Sequence, residues 1–266
     1  MLNKRAMNLK KKLKKGSVSP GIWVTLPCPL SCEIIAGVGF DWVMVDTEHN
    51  LFNPESLLHI AMAFANSDTV LLVRIPEKTE SYVKQLLDTG WDGVVFPQTN
   101  TLQDAQRVVS LCKYPPLGKR GYGPSRVGNY GKDEDEYVKS ANDSVICVIQ
   151  IENVSGAEQI EEIVQVSGVD WIMVGPNDMS HSAGRFRDRN NPVLLDALNK
   201  IRSTAQAAGI PFSIGGGDTA DMDKVIDMGC QLVFLGADTG YLQTTAYKAL
   251  EMFRKTLKTK NSKGAK

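Results

Sequence analysis

The chain has 266 residues, 42% hydrophobic and 23% charged, and its 30 basic side chains balance 30 acidic ones. That balance supplies no field to attract nucleic acid or an anionic membrane surface, and no apolar run approaches the roughly 20 residues needed to cross a bilayer. What remains is a soluble protein acting on a small molecule.

Residues 10–15 are basic, but no apolar signal-peptide core follows them. Residues 1–15 therefore read as a solvated basic helix, with a transit peptide as the weaker alternative. Beyond them, short β-branched apolar runs alternate with segments of helical period. The runs fall at residues 21–25, 42–46, 70–74, 93–97, 145–152, 171–175, 211–214 and 232–236. Their near-continuous apolar character suits parallel strands covered on both faces. Between them, Asn53-Pro54 and Asn191-Pro192 each set a capping residue before a proline at the first helical position; the second helix runs to about Ala208, and Gly209 ends it. Thr101-Leu-Gln-Asp104 has the form of a capping box. Residues 218–228 and 241–258 supply the last two helices.

Strict alternation of eight strand–helix units predicts a single-domain α/β protein, a (β/α)8 TIM barrel over residues 16–257 behind the N-terminal helix, with an open doubly wound sheet as the alternative. Residues 113–143 break the rhythm with a stretch rich in Gly, Pro and charge, long enough to expect a functional loop or an interface. Residues 258–266 are expected to form a disordered tail. The five cysteines are scattered, and the Cys28/Cys32 pair has no second pair or nearby histidine. They read as reduced thiols of a cytoplasmic protein.

Chemistry in a barrel gathers at the carboxyl ends of the strands, and three strands share one pattern there. Trp42, Met44 and Asp46 lie on one face of the second strand, Val70, Leu72 and Arg74 on one face of the third, and Ile146, Val148, Gln150 and Glu152 on one face of the fifth. An apolar column that turns polar at its end is a barrel interior opening into a site. Ionisable groups buried there need one another or a bound ion. Glu152 and Asp178, at the ends of adjacent strands, make a hard oxygen pair without His or Cys, which suits Mg²⁺ or Mn²⁺, with Co²⁺ a further candidate. His49 follows Asp46 by three residues; a carboxylate on one ring nitrogen would leave the other free as a base, the alternative being a purely structural histidine. Arg74 is placed to recognise a carboxylate or an enolate oxygen, or to pair with Asp88 or Asp46. No lysine stands at the end of a predicted strand, which argues against Schiff-base chemistry and for a metal ion. The Gly215-Gly-Gly217 turn resembles a phosphate cradle, but Asp238 after the eighth strand would repel phosphate.

The run from Gly39 to Asp46-Thr-Glu-His49 resembles the second-strand signature of the HpcH/HpaI aldolases. The resemblance continues in order through Arg74, Tyr114-Pro-Pro-Leu-Gly-Lys-Arg-Gly121, Gln150-Ile-Glu152 and Gly175-Pro-Asn-Asp178, and covers residues 9–253. It implies a divalent-metal-dependent class II aldolase. Glu152 and Asp178 would ligate the metal, His49 with Asp46 would be the acid/base dyad, and Arg74 would hold the keto or enolate oxygen. Gln150 would line the pyruvate site, Asp88 would help position the arginine or its network, and the backbone around Gly175, Pro176 and Asn177 would meet the pyruvate carboxylate. The resemblance further implies a homo-oligomer, hexamer or trimer, with sites finished by a neighbouring subunit, which would give residues 113–143 their purpose. The chain departs from the pattern at Asn50-Leu-Phe-Asn53, where a small residue followed by Pro is commoner, and at Gly215, where an aliphatic side chain often packs on the substrate. Both positions frame the aldehyde side of the site.

The expected reaction forms or breaks a carbon–carbon bond between a pyruvate-like 2-keto acid and an aldehyde. Oxaloacetate decarboxylation, or bond formation in a specialised biosynthetic pathway, would use the same enolate. A non-catalytic barrel that binds a keto acid and a metal is the alternative of a different class.

Overall fold

All eight apolar runs form strands in the computed structural model of the chain, which describes residues 2–216, 220 and 222–264. The first half runs α1 (Leu2–Lys14), β1 (Ser19–Val24), α2 (Pro29–Ala36), β2 (Trp42–Asp46), α3 (Pro54–Ala63), β3 (Val70–Arg74), α4 (Glu80–Thr89), β4 (Gly93–Phe96) and α5 (Leu102–Cys112). It continues with α6 (Glu134–Ser144), β5 (Ile146–Ile151), α7 (Val154–Glu158), α8 (Ile160–Ile163), β6 (Trp171–Val174) and α9 (Pro176–Ser182). The last elements are α10 (Pro192–Ala207), β7 (Phe212–Ile214), α11 (Met222–Asp227), β8 (Leu232–Ala237) and α12 (Asp238–Gly264). The strands pair in parallel in the order β7-β6-β5-β4-β3-β2-β1-β8. Gln231 N donates to Phe212 O at 3.0 Å, so the two ends of the sheet meet and the barrel is nearly closed.

The period-two pattern sorts side chains as expected. Trp42, Met44, Val70, Leu72, Val95, Ile146, Val148, Trp171, Met173, Leu232 and Phe234 fill the barrel. The alternate residues, such as Val43, Val45, Leu71 and Val73, pack against the surrounding helices. Trp42 meets Trp171 and Phe234 edge-on at centroid distances of 5.1 and 4.7 Å. Gly21 makes room for that ring, since a Cβ there would lie 2.2 Å from Trp42. Truncating Trp42 would open a cavity costing about 3–5 kcal/mol.

The first helix is not simply solvated. Ala6, Leu9 and Leu13 recur at helical spacing and plug the amino-terminal end of the barrel. Arg5 is buried and pairs with Asp92 at 2.6 Å, and the Asp92 carboxylate also accepts from Leu71 N at 2.7 Å. Burial pushes the Asp92 carboxyl up to about 6. Caps act much as their spacing predicts: Asn53 and Ser56 form a reciprocal capping box. Asp104, by contrast, turns to the Thr101 hydroxyl, so only half of that box forms.

Two other expectations change. Residues 113–143 are not all loop, because α6 occupies the second part and packs Tyr137 and Ala141 with Tyr114 and Val127 into a small separate core. The predicted tail from residue 258 is helical through Gly264, since no Gly or Pro interrupts residues 241–263. Residues 265 and 266 lie outside the described part. α12 leaves the barrel with its apolar side chains uncovered, Leu242, Tyr247, Met252 and Phe253 each being more than 60% exposed. Among the described residues no helix is long and apolar enough to cross a membrane, and all five cysteines are free thiols.

Candidate active site

At the carboxyl end of the barrel a cavity of about 300 Å³ opens. β2 and β3 run in register, so Asp46 lies beside Arg74. Arg74 Nε donates to Asp46 Oδ1 at 2.9 Å, and Nη2 lies 2.9 Å from the same oxygen. The guanidinium also lies 4.6 Å from the centroid of the Trp23 ring on β1. Held at an edge by a carboxylate and on a face by an indole, this cation is preorganised and keeps donors for a ligand.

Across the cavity, Glu152 stands just past β5. Its Oε2 accepts from Gln98 N at 2.8 Å, and its Oε1 from Gln150 Nε2 at 2.6 Å. Gln98 has φ +49°, a left-handed turn after β4 that aims its amide at the carboxylate. Asn100 Oδ1 accepts from Glu152 N and Asn153 N, at 3.1 and 3.2 Å, and fixes the backbone there. Gly175 completes the cradle. A Cβ at that position would lie 2.6 Å from Glu152 Oε1 and 2.7 Å from its Cγ, so only glycine leaves the carboxylate where it is.

Burial pushes the Glu152 carboxyl up to about 7, and Glu48 and Asp178 add like charge in the same direction. Glu48 is itself raised, chiefly by burial. Buried Gln150 Oε1 and Glu48 Oε2 have no hydrogen-bond partner among the described residues. Crowded carboxylates and unanswered acceptors fit a cation. No cluster of three His, Cys, Asp or Glu surrounds a point among the described residues. Two carboxylates with positions left for water and substrate suit a hard, six-coordinate divalent ion better than an enclosed zinc site.

The cavity brings together Asp46, His49, Arg74, Gln150, Glu152, Gly175, Pro176, Asn177, Asp178 and Gly215. It does not include Asp88, expected beside the arginine. Asp88 lies on α4 and accepts from Arg120 Nη2 at 2.7 Å, because Arg120 comes down from the segment before α6 to cover that helix. The expected Asp46–His49 side-chain pair is also absent. Asp46 Oδ1 receives Arg74 and lies 3.2 and 3.4 Å from the amides of Glu48 and His49, while Oδ2 accepts from Asn50 Nδ2 at 2.9 Å. The His49 side chain is 63% exposed, with Nε2 3.8 Å from Glu48 Oε2.

Residues not singled out from sequence are Trp23, Thr25, Glu48, Gln98, Asn100 and Ala237. Trp23 shares the interior parity of Gly21 and was there to be found by the same strand argument. Gln98 acts through its backbone and leaves no side-chain signal.

The sequence pattern of the HpcH/HpaI aldolase/citrate lyase family matches residues 20–244. The 5-keto-4-deoxy-D-glucarate aldolase of Klebsiella pneumoniae is 30% identical over 246 residues, 92% of this chain and 96% of that one. The 2-keto-3-deoxy-L-rhamnonate aldolase of Escherichia coli is 32% identical over 251 residues, 92% of each chain. A solved structure of a family protein from Burkholderia cenocepacia superposes with a TM-score of 0.88 at 29% identity, covering 93% of this chain and 99% of that one. With the family pattern matched over most of its length and the same barrel in the solved relative, the chain belongs to the HpcH/HpaI aldolase/citrate lyase family of carbon–carbon lyases.

Proposed function

We propose that the protein is a class II aldolase that cleaves or forms the bond between a pyruvate-like 2-keto acid and an aldehyde, with Glu152 and Asp178 holding Mg²⁺ or Mn²⁺. The observation that carries the reading is the Glu152 cradle. A glycine at which any Cβ would push the side chain aside, a backbone amide in a left-handed turn and a glutamine all converge on one carboxylate facing Arg74 across the cavity. When bound, the cation supplies Lewis acidity that draws charge from the keto group. Arg74 donates to the same oxygen and answers the charge it gains as the enolate forms. Asp46 and Trp23 hold the guanidinium in that position. The wall from Gly175 to Asp178 faces the substrate carboxylate, and Gln150 orients the keto acid. His49 takes the proton of the 4-hydroxyl during cleavage and returns it during synthesis.

A cytoplasmic setting is supported by five free thiols. A homo-oligomer, trimer or hexamer, is supported by the uncovered apolar side chains of α12 and by Leu30 and Ile34 on α2, which are 71% and 73% exposed. In such an assembly residues 113–143 would serve a neighbour's site. The deciding experiment offers pyruvate with a panel of aldehydes and Mg²⁺ or Mn²⁺ and looks for adducts by mass. Adduct formation that survives exhaustive chelation contradicts the reading. Bound pyruvate whose methyl protons never exchange in heavy water points instead to a binding barrel.

A further inference from the structure

Gln98 carries the amide that meets Glu152, and its backbone is held from three sides. The residue has φ +49°, a conformation that an L side chain adopts only at a cost. Its N–H donates to Glu152 Oε2 at 2.8 Å. The next peptide is clamped at both ends. Thr99 N donates to Gln150 O at 3.1 Å, and the Gln98 carbonyl accepts from Lys78 Nζ at 2.7 Å. Lys78 reaches that carbonyl from the loop between β3 and α4, where Arg107 Nη2 donates to the Lys78 carbonyl at 3.2 Å and fixes the backbone. The lysine is half-buried. Burial lowers the pKa of its ammonium, while Asp104, Glu152 and Glu48 pull the other way. Lys78 does not line the cavity, so its ammonium meets the turn and not a substrate. A cation in this place has two opposite effects on a metal site. Its field competes with a metal ion for Glu152, and its hydrogen bond holds the turn that orients the same carboxylate.

We propose that Lys78 is a positioning residue of the metal site: by holding the Gln98 carbonyl it keeps the left-handed turn, and with it the amide that fixes Glu152 for the cation. The inference rests on the reading of Glu152 as a metal ligand given above. Three strand ends then share one device. A side chain from the loop after β3 sets a peptide after β4, and that peptide sets the carboxylate after β5. In this arrangement the hydrogen bond outweighs the field, because the ammonium is spent on a carbonyl while the amide it steadies points straight at Oε2.

The test separates the hydrogen bond from the charge. Lys78→Met keeps the stem and removes the ammonium. A positioning lysine makes this variant bind manganese about tenfold more weakly in calorimetric titration. A lysine acting only through its field predicts the opposite sign, since loss of a positive charge beside the acids leaves binding unchanged or tightens it. Glycine takes the left-handed conformation unaided, so in the Gln98→Gly background Lys78→Met should cost about threefold or less. Hydrogen exchange on the metal-free protein is the second readout. Lys78→Met should speed exchange at the Gln98 amide, localised by overlapping peptides, by about tenfold, while residues 19–24 of β1 stay as slow as before and report an intact barrel. Unchanged or tighter manganese binding overturns the proposal, and so does an equal loss in the Gln98→Gly background. Wild-type protein that binds no manganese counts against the metal reading; there the Gln98 amide decides this inference, faster exchange upholding the lysine's hold on the turn and unmoved exchange overturning it.

Discussion

Replacing Glu152 with Gln should make the metal-free protein more stable at alkaline pH and blind to metal. The folded carboxyl is pushed up to about 7 from an ordinary 4.5, so between those values the folded chain keeps a proton that the unfolded chain has lost. Its contribution is therefore favourable below the window and is lost as pH rises through it. A difference of about 2.5 pH units corresponds to at most about 3.4 kcal/mol at pH 8, and relaxation of the cavity brings the expected effect to about 1–2 kcal/mol. Glutamine removes that cost. Its amide can be received by Gln150, whose Oε1 has no partner, through a flip of the Gln150 side chain. Thermal melts in EDTA should then show Glu152→Gln raising Tm by about 3 °C at pH 8 and by nothing measurable at pH 5. Manganese at about 100 times its Kd should stabilise the wild type by about 2.7 kcal/mol and leave the variant unchanged. If the variant responds to manganese as the wild type does, Glu152 is not a ligand and the assigned chemistry falls with it.

Gly175→Ala places a methyl group 2.6 Å from Glu152 Oε1 and should weaken manganese binding by about 10- to 100-fold, read by calorimetric titration. Arg74→Lys loses the fork that meets Asp46 and the stacking on Trp23, and kcat/KM should fall by about 10²-fold in steady-state assays. A Cβ at Gly215 would lie a tight 3.3 Å from Val174 O and 3.6 Å from Met173 Sδ, so a side chain enters the cavity there once the backbone gives by a few tenths of an ångström. Gly215→Leu should cut kcat/KM for long aldehydes by about tenfold relative to glyoxylate, with the KM for pyruvate unchanged, in a competition assay. Charging the apolar face of α12 with Met252→Asp and Phe253→Asp should shift sedimentation velocity towards the monomer; an unchanged coefficient rules that face out as an interface.

The barrel was legible because its signal is local and repeated. Parity along β2, β3 and β5 placed Trp42, Leu72 and Val148 inside and carried Asp46, Arg74 and Gln150 to one mouth. The pairs that failed were those decided by competition among donors. Three residues separate Asp46 from His49, which permits contact, but the turn between them delivers two amides, Asn50 and an arginine from β3 to the same carboxylate. Asp88 has a candidate partner in Arg74 by sequence, whereas Arg120, 32 positions later in the chain, claims it. The Gln98 turn is a backbone conformation with no pattern to announce it. The lysines of α1 and of the tail after residue 258 outweighed the quieter evidence for order: an apolar triad in one, no helix breaker in the other.

The one failed pair inside the cavity, Asp46 with His49, lies where a strand end passes into a loop. Arg74, Gln150, Glu152 and Gly175 sit on strands or within a residue of their ends, where ladder hydrogen bonds on both sides leave each Cα little freedom. A keto acid and a cation held by such groups meet the same geometry whatever the loops do. Asn50 stands on a connection and Gly215 at the open rim just past β7, both partly exposed, where a change of side chain removes few buried contacts and costs little stability. In the proposed mechanism the chemistry that makes the nucleophile is thus tied to the fold, while the choice of electrophile would rest on positions free to differ. The two sugar-acid aldolases that resemble this chain have different substrates in their names at nearly the same identity to it, as that division allows. If the proposed reading holds, the aldehyde has to be sought through Gly215 and the segment after His49, and the proposed metal site carries no information about it.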